Sequence, residues 1–345
     1  MRRLLLVLVT VLLLSAGLAG ATRATPAAKT DGVPQFGNVF VIIGENTDYS
    51  ALTKKNAPYL LGTIKPESAW LTNYWATTHY SEANYVAMTS GQFTPCEQKD
   101  GQISSCHQPA SQDNLFHQLD ETYPGTTAWQ SWMESMPAPC YISSFGSDAG
   151  LNKYRAKHNP ALIFDNVAGS WNGTTFNPSS ECLNQDISTG ETASGVGPND
   201  MSVFNKALQD NTVSRFNFIV PNECEDAHDN CKPVGNPVLQ FDQFLNREIP
   251  LIQNSAAYQA NGNGVIIVTF DEGTTKSPNH ADKFGQGGQV AFAVISPLAN
   301  IGSYGNMWDH YSFLRTLQDG LGTSGLGYLG GAGASGESSI YTIWK

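Results

Sequence analysis

Two widely separated segments carry the acidic groups from which an active site can be assembled. Val39-Phe40-Val41-Ile42-Ile43-Gly44 runs into Glu45-Asn46, and Val265-Ile266-Ile267-Val268-Thr269-Phe270 runs into Asp271-Glu272-Gly273. Gathering Glu45, Asp271 and Glu272 in one place is costly unless a cation neutralises them. With Asn46 they make a set of hard oxygen donors, which points to Ca²⁺, Mg²⁺ or a similar divalent ion. A third segment, Thr77 to Gly91, supplies a nucleophile: Ser81 stands where a helix is predicted to begin. A hydroxyl there is surrounded by free backbone N–H groups, and a nearby metal lowers its pKa. Asn84 is placed to donate to a phosphoryl oxygen. The alternative for Ser81 is a plain helix cap.

The histidines complete the inventory. His228, His280 and His310 each follow a strand or open a helix, so each can reach the edge where the carboxylates gather. His158, in Lys157-His158-Asn159-Pro160, is a weaker candidate, and His107 and His117 read as surface or packing residues.

Positioning these groups requires a particular scaffold. A continuous β-branched run reads as a strand buried on both faces of a parallel sheet, and open α/β sheets bind ligands at the carboxyl ends of their strands. Thr126 to Trp132, Arg215 to Asn222 and Gln289 to Ser296 are further strand candidates. Phe241 to Ile252 has helical apolar spacing, interrupted by Pro250. A last helix is expected from Asp309, its cap, to Leu317. Residues 165 to 202 read as a loop insertion, and Gly320 to Gly336 as irregular. The alternation of strands and helices predicts one α/β sheet covered by helices.

Arg2 and Arg3 precede an apolar stretch from Leu4 to Leu14, and Ala19-Gly20-Ala21 offers a cleavage site. We therefore expect a signal peptide over 1–21, a disordered leader over 22–36, one catalytic domain over 37–345 and an extracellular location. The formal charge of −11 disfavours nucleic acid and anionic membrane as bulk partners. Six cysteines in an exported chain are expected to form disulfides, and neighbour pairing, Cys96–Cys106, Cys140–Cys182 and Cys224–Cys231, is the expected one of fifteen connectivities.

Glu45-Asn46 after a buried strand and Thr78-His79-x-Ser81-x-x-Asn84-Tyr85 resemble a secreted phosphoesterase family. That family holds bacterial acid phosphatases and phosphate-releasing phospholipases C. Further matches follow in order: Met136-Pro137-x-Pro139-Cys140-Tyr141, Tyr154-x-x-Lys157-His158-Asn159-Pro160, Pro221-Asn222-x-Cys224-x-Asp226-x-His228-Asp229, Phe270-Asp271-Glu272-Gly273 and Asp309-His310-Tyr311-Ser312. The likeness is greatest to the actinobacterial secreted acid phosphatases. It implies an alkaline-phosphatase-like three-layer α/β fold with a mainly parallel sheet. It also implies a phosphoenzyme formed on Ser81 and a metal held by Glu45, Asn46, Asp271 and Glu272 with Ser81. His228, His280 and His310 are expected around the phosphoryl group, and Asn84 and Asp229 at the substrate. The family usually has prolines where Tyr80 and Ala83 stand here.

The expected activity is a metal-dependent phosphomonoesterase acting on a small phosphorylated substrate, such as a phosphoinositide head group. A phospholipase C is the second reading, with Trp70, Trp75 and Tyr80 as an apolar rim. A non-catalytic binding protein on the same fold is the third. The natural substrate, the histidine that acts as acid and the oligomeric state are left open.

Overall fold

In the computed structural model, the structure describes residues 30–345 except 97–98, 148–149, 152, 192–199 and 275–285. The two apolar runs form adjacent strands. β1 (Val39–Gly44) pairs in parallel with Val265–Phe270, placing Gly44 opposite Phe270 and therefore Glu45 beside Asp271. Every residue of both strands is buried, as expected where helices cover both faces.

In chain order the other strands are β2 (Ala69–Trp75), β3 (Trp129–Met133), β4 (Gly169–Asn172), β5 (Thr175–Pro178), β6 (Asp186–Ser188) and β7 (Phe216–Val220). Val265–Phe270 is β8, followed by β9 (Gln289–Ile295), β10 (Gly302–Tyr304) and β11 (Trp308–Asp309). The main sheet runs β10-β2-β9-β8-β1-β7-β3-β6, with β11 also on β2. Only β9 opposes the common direction. The carboxyl ends of β1, β2, β7, β8 and β11 thus share one edge.

Helices Ser81–Ser90 and His310–Gly320 pack on each other, and Ser202–Asp210 and Pro237–Gln253 form a second packed pair. Pro250 does not end its helix: it falls in the last turn, and the chain stays helical to Gln253. Asp309 caps the last helix as expected, accepting from the Tyr311 and Ser312 backbone N–H groups.

Two expectations are corrected. The stretch 165–202 is not simply a loop. It contains the β4–β5 hairpin, the helix Ser180–Gln185 and β6, which joins the main sheet beside β3. The leader is ordered at its end: Val33 and Phe36 are buried in the core, so packing begins before residue 37. The signal segment and residues 22–29 lie outside the described residues. All three disulfides form with neighbour pairing, and no cysteine is free. No helix among the described residues is long and apolar enough to cross a membrane.

Candidate active site

Ser81 is the first residue of a ten-residue helix that is buried along its whole length. The hydroxyls of Thr89 and Ser90 satisfy themselves by donating back to the Tyr85 and Val86 carbonyls. Gly91, in the left-handed region at φ 65°, stops the helix.

The cap alternative for Ser81 does not hold, because Tyr80 occupies the cap position. The Ser81 Oγ turns away from the backbone and donates to Glu45 Oε2 at 3.1 Å, with Glu272 Oε1 at 3.4 Å. Two acidic strand ends and the hydroxyl therefore converge. The Ser81 turn is held by Asn84, whose Oδ1 accepts from Thr78 N at 3.1 Å while Nδ2 donates to the Thr78 and Tyr80 carbonyls at 2.7 and 3.2 Å. In this structure the Asn84 carboxamide, expected at the substrate, is hydrogen-bonded within the turn that presents Ser81.

The carboxylates are arranged with one oxygen fixed and another bare. Asp271 Oδ1 accepts from the backbone N–H of Asn46 at 3.2 Å and of Glu272 at 2.6 Å, whereas the buried Oδ2 has no hydrogen-bond partner. Glu45 Oε1 is likewise buried without a hydrogen bond, although His158 Nε2 lies 3.1 Å away off the bonding direction. Asn46, at φ 44°, turns Nδ2 to Glu45 Oε2 at 3.3 Å, which leaves Oδ1 as its ligand atom. Burial, then Asp271 and Asp226, push the Glu45 carboxyl well up; burial and Glu272 push Asp271 up to about 8. Orphaned buried carboxylate oxygens beside a carboxamide and a hydroxyl are the donor set a hard divalent cation takes, so the residues present fit the expected metal.

Several residues here were not singled out from sequence, or only weakly. His79 Nδ1 lies 2.5 Å from Glu272 Oε2 and holds that carboxylate toward Ser81. His158 is fully buried against Glu45 and stacks on Tyr85, with ring centroids 5.2 Å apart. Burial, then Lys157, hold His158 well below its ordinary pKa, so it stays neutral. The ammonium of Lys157 bonds Asp100 at 2.5 Å; burial pushes its pKa down, but Glu45 and Asp100 outweigh this and raise it. Asp226, also buried, has Oδ2 without a hydrogen bond and lies 3.9 Å from His158 Nδ1. The Lys157-His158-Asn159-Pro160 motif was the available signal for two of these.

The expected histidines separate. His228 is partly exposed; its Nδ1 meets Asp229 Oδ1 at 2.7 Å, and its backbone N–H donates to Asp226 at 2.8 Å. Asp229, expected at the substrate, faces His228 with one oxygen and pairs with the buried Lys153 through the other. Burial pushes the Asp229 carboxyl up, but Lys153 and His228 outweigh it and hold it below the usual range. His310 sits deeper. It is fully buried, with Tyr74 Oη 2.8 Å from Nδ1 and the Asp271 carbonyl 2.6 Å from Nε2. A carbonyl only accepts, so Nε2 carries the proton and Nδ1 takes the Tyr74 hydroxyl. Burial lowers the His310 pKa to about 4. In this arrangement the ring braces the Asp271 backbone. His280 lies outside the described residues. His107 and His117 bond Asp165 and Asp113, as packing and surface groups do.

The expected aromatic rim also dissolves. Trp70 is core, Trp75 is half-buried and bonds Asn73, and only Tyr80 is exposed. A second acidic group, Glu223, His228 and Asp229, has its ligand atoms within 4.8 Å of one another. Lys153 and Arg155 already pair with Asp229 and Glu223, so its charge is matched without a metal.

Burial raises the carboxyls of Glu82 and Asp186 to about 7 and of Glu181 to about 8. A carboxyl with a raised folded value favours the folded state below its unfolded value of about 4, and that support is lost as pH rises toward 7 or 8. His158 and His310, both lowered, act oppositely: their contribution is lost as pH falls below about 6.5. The carboxyls outnumber them. Metal-free protein is therefore expected to melt at a higher temperature at pH 5 than at pH 8 in matched ionic strength. A midpoint that rises steadily toward pH 8 contradicts this.

Residues 40–322 match the model of the Phosphoesterase family. The chain is 27% identical over 323 residues to a phosphate-repressible acid phosphatase of Penicillium chrysogenum, covering 91% of this chain and 66% of that one. It is 25% identical over 330 residues to a phosphatidylinositol-3-phosphatase of Mycobacterium tuberculosis, covering 95% and 90%. A probable acid phosphatase of Kluyveromyces lactis matches over 74% of this chain and 52% of its own. The chain thus spans about two thirds or less of these fungal relatives. Among solved structures, a protein in the alkaline phosphatase superfamily from Vibrio parahaemolyticus is similar with a TM-score of 0.57 at 11% identity, covering 87% of this chain and 71% of that one. The C-terminal periplasmic domain of EcEptC from Escherichia coli, in a complex with Zn, gives 0.50 at 12%, covering 93% of each. The likeness is one of fold, and the fold is the alkaline-phosphatase-like α/β fold.

Proposed function

The chain belongs to the Phosphoesterase family, and from that premise we propose that it is a secreted, metal-dependent phosphomonoesterase of acid-phosphatase type. The observation that carries this reading is the Ser81 hydroxyl at a helix N-terminus, hydrogen-bonded to Glu45 and near Glu272, beside buried carboxylate oxygens without partners. Glu45, Asn46, Asp271 and Glu272 with Ser81 would hold the ion. A bound divalent cation supplies Lewis-acid stabilisation of the serine oxygen and of a phosphoryl oxygen.

The chain's own groups do the rest. The Ser81 proton passes to a carboxylate within reach as Oγ bonds to phosphorus and the ester P–O bond breaks. His228, oriented by Asp229, delivers a proton to the departing alcohol. The same ring then takes a proton from the water that attacks phosphoserine. Phosphate leaves as Ser81 recovers its proton. The positive end of the Ser81 helix and the Lys157 ammonium stabilise the equatorial oxygens.

Export is supported by the N-terminal signal pattern and by the three disulfides. The mycobacterial relative's name makes a phosphoinositide head group one substrate to try. Calcium, magnesium and zinc are the ions to compare. Phosphate release from p-nitrophenyl phosphate, with and without a strong chelator, tests the whole reading. No release under any metal condition refutes it.

The two histidines should respond differently to removal. His228→Ala is expected to slow turnover by roughly 10²–10⁴-fold, with a larger loss on alkyl phosphates than on p-nitrophenyl phosphate, whose leaving group needs little protonation. His310→Ala leaves the Tyr74 hydroxyl and the Asp271 carbonyl unpaired, at about 1–3 kcal/mol each, and should show first in the melting temperature. Equal losses for His228→Ala on both ester types would remove its acid role.

A further inference from the structure

One fully buried carboxylate has no part in the chemistry above. Asp186 opens β6, the three-residue strand that ends the main sheet beside β3, and it is shut off from solvent. A buried charge is costly without a partner of opposite sign. The donors to Asp186 are nonetheless neutral: Asn159 Nδ2, at 2.8 and 2.9 Å from its two oxygens, and the Ser131 hydroxyl. Burial accordingly raises its carboxyl to about 7. What this costly contact fixes is Asn159. Ser131 Oγ, from β3, stands 3.4 Å from Asn159 Oδ1, and Tyr154 Oη lies 3.2 Å from Asn159 Nδ2.

Asn159 is itself fully buried and joins two short 3₁₀ segments, Ala156–His158 and Pro160–Leu162. The residues just before it reach the site. His158 lies against Glu45 and stacks on Tyr85 of the nucleophile helix. Lys157 sends its ammonium to Asp100, whose other oxygen accepts from the Glu82 N–H at the start of that helix at 3.2 Å. Hydrogen bonding within such short segments is poor, so their own backbone stiffens them little. A side-chain anchor on the sheet does so here. We infer that Asp186 is a positioning residue for phosphoryl transfer: by anchoring Asn159 it fixes the turn that presents Lys157 to the phosphoryl oxygens. This rests on the phosphomonoesterase reading. An ammonium stabilises developing charge only where it is held, and a misplacement of about 1 Å can cost roughly 10²-fold in rate.

Asp186→Asn keeps the shape but sets one amide group against the other, so the anchor is lost. At pH 8 the metal-loaded variant should melt close to wild type, because a buried charge leaves along with the bond. Its kcat on p-nitrophenyl phosphate should fall by about tenfold or more with KM little changed, the pattern of a contact made in the transition state. In a Lys157→Met background the same substitution should cost no more than about twofold, because the group it positions is gone. Exchanging the pair, Asp186→Asn with Asn159→Asp, restores a carboxylate–carboxamide contact and should recover most of the wild-type rate. Should Asp186→Asn fail to fold, Asp186→Ser, too short to reach Asn159, enters the same cycle. Three results overturn the inference and leave Asp186 to the fold alone: a folded variant with wild-type kcat, a loss as large without Lys157 as with it, or an exchanged pair as slow as Asp186→Asn. If wild-type protein releases no phosphate under any metal condition, the parent reading fails instead.

Discussion

Ser81→Ala should be folded and inert. Removing the hydroxyl forfeits its hydrogen bonding to Glu45 and Glu272, about 1–3 kcal/mol. The helix keeps its start because the cap position belongs to Tyr80. Chemistry has no such reserve, because the covalent route passes through this oxygen, and a loss of roughly 10⁴-fold or more is expected. Circular dichroism and melting should stay near wild type while phosphate release falls to background. Acid quenching of wild-type turnover should trap phosphate on Ser81. Phosphate found on Thr78 instead, or a Ser81→Ala protein that retains turnover, would overturn the assignment.

Asp271→Asn and Glu45→Gln should cost about 10³-fold or more in rate, because a Lewis acid contributes several kcal/mol at the transition state. Each substitution keeps shape and hydrogen-bonding size but removes charge from a buried oxygen set aside for a cation. Both should weaken metal retention, read by elemental analysis after dialysis. Both should also stabilise the metal-free fold, because the oxygens are buried without partners and burial already disfavours their charge. Metal-free protein with full activity, indifferent to chelators, would remove the ion from the mechanism.

The parts of this molecule legible in sequence are those whose signal is local. β1 and β8 announce themselves by unbroken β-branched runs, while their adjacency and the pairing of Gly44 with Phe270 come only from the three-dimensional structure. The Ser81 helix and the Asp309 cap are written in a few adjacent residues. β6 was not legible because three residues are too few to show a period, and only the edge of β3 makes Asp186–Ser188 a strand. The different surroundings of the histidines are hidden for a related reason. His228 and His310 both follow strands beside acidic residues. What distinguishes them is Tyr74, 236 residues before His310, and a carbonyl that no side-chain pattern records. Asn84 looked like a ligand donor because its sequence neighbours are catalytic; its commitment to Thr78 and Tyr80 is a matter of three-dimensional reach. His79 and His158 likewise gain meaning only through Glu272 and Glu45.

None of the six cysteines lies on a strand, and two of the three bridges clasp short loops at the active edge. The Cys96–Cys106 loop offers Asp100 to Lys157 and to the backbone of Glu82, and the Cys224–Cys231 loop carries Asp226, His228 and Asp229. Two of the three bridges thus constrain loops that carry site residues rather than strands of the sheet. The third bridge, Cys140–Cys182, lies in the hydrophobic core and spans 42 residues, so it belongs to the fold where the other two belong to the site. An oxidising compartment therefore serves this protein twice, once for the core and once for the loops that carry the catalytic groups.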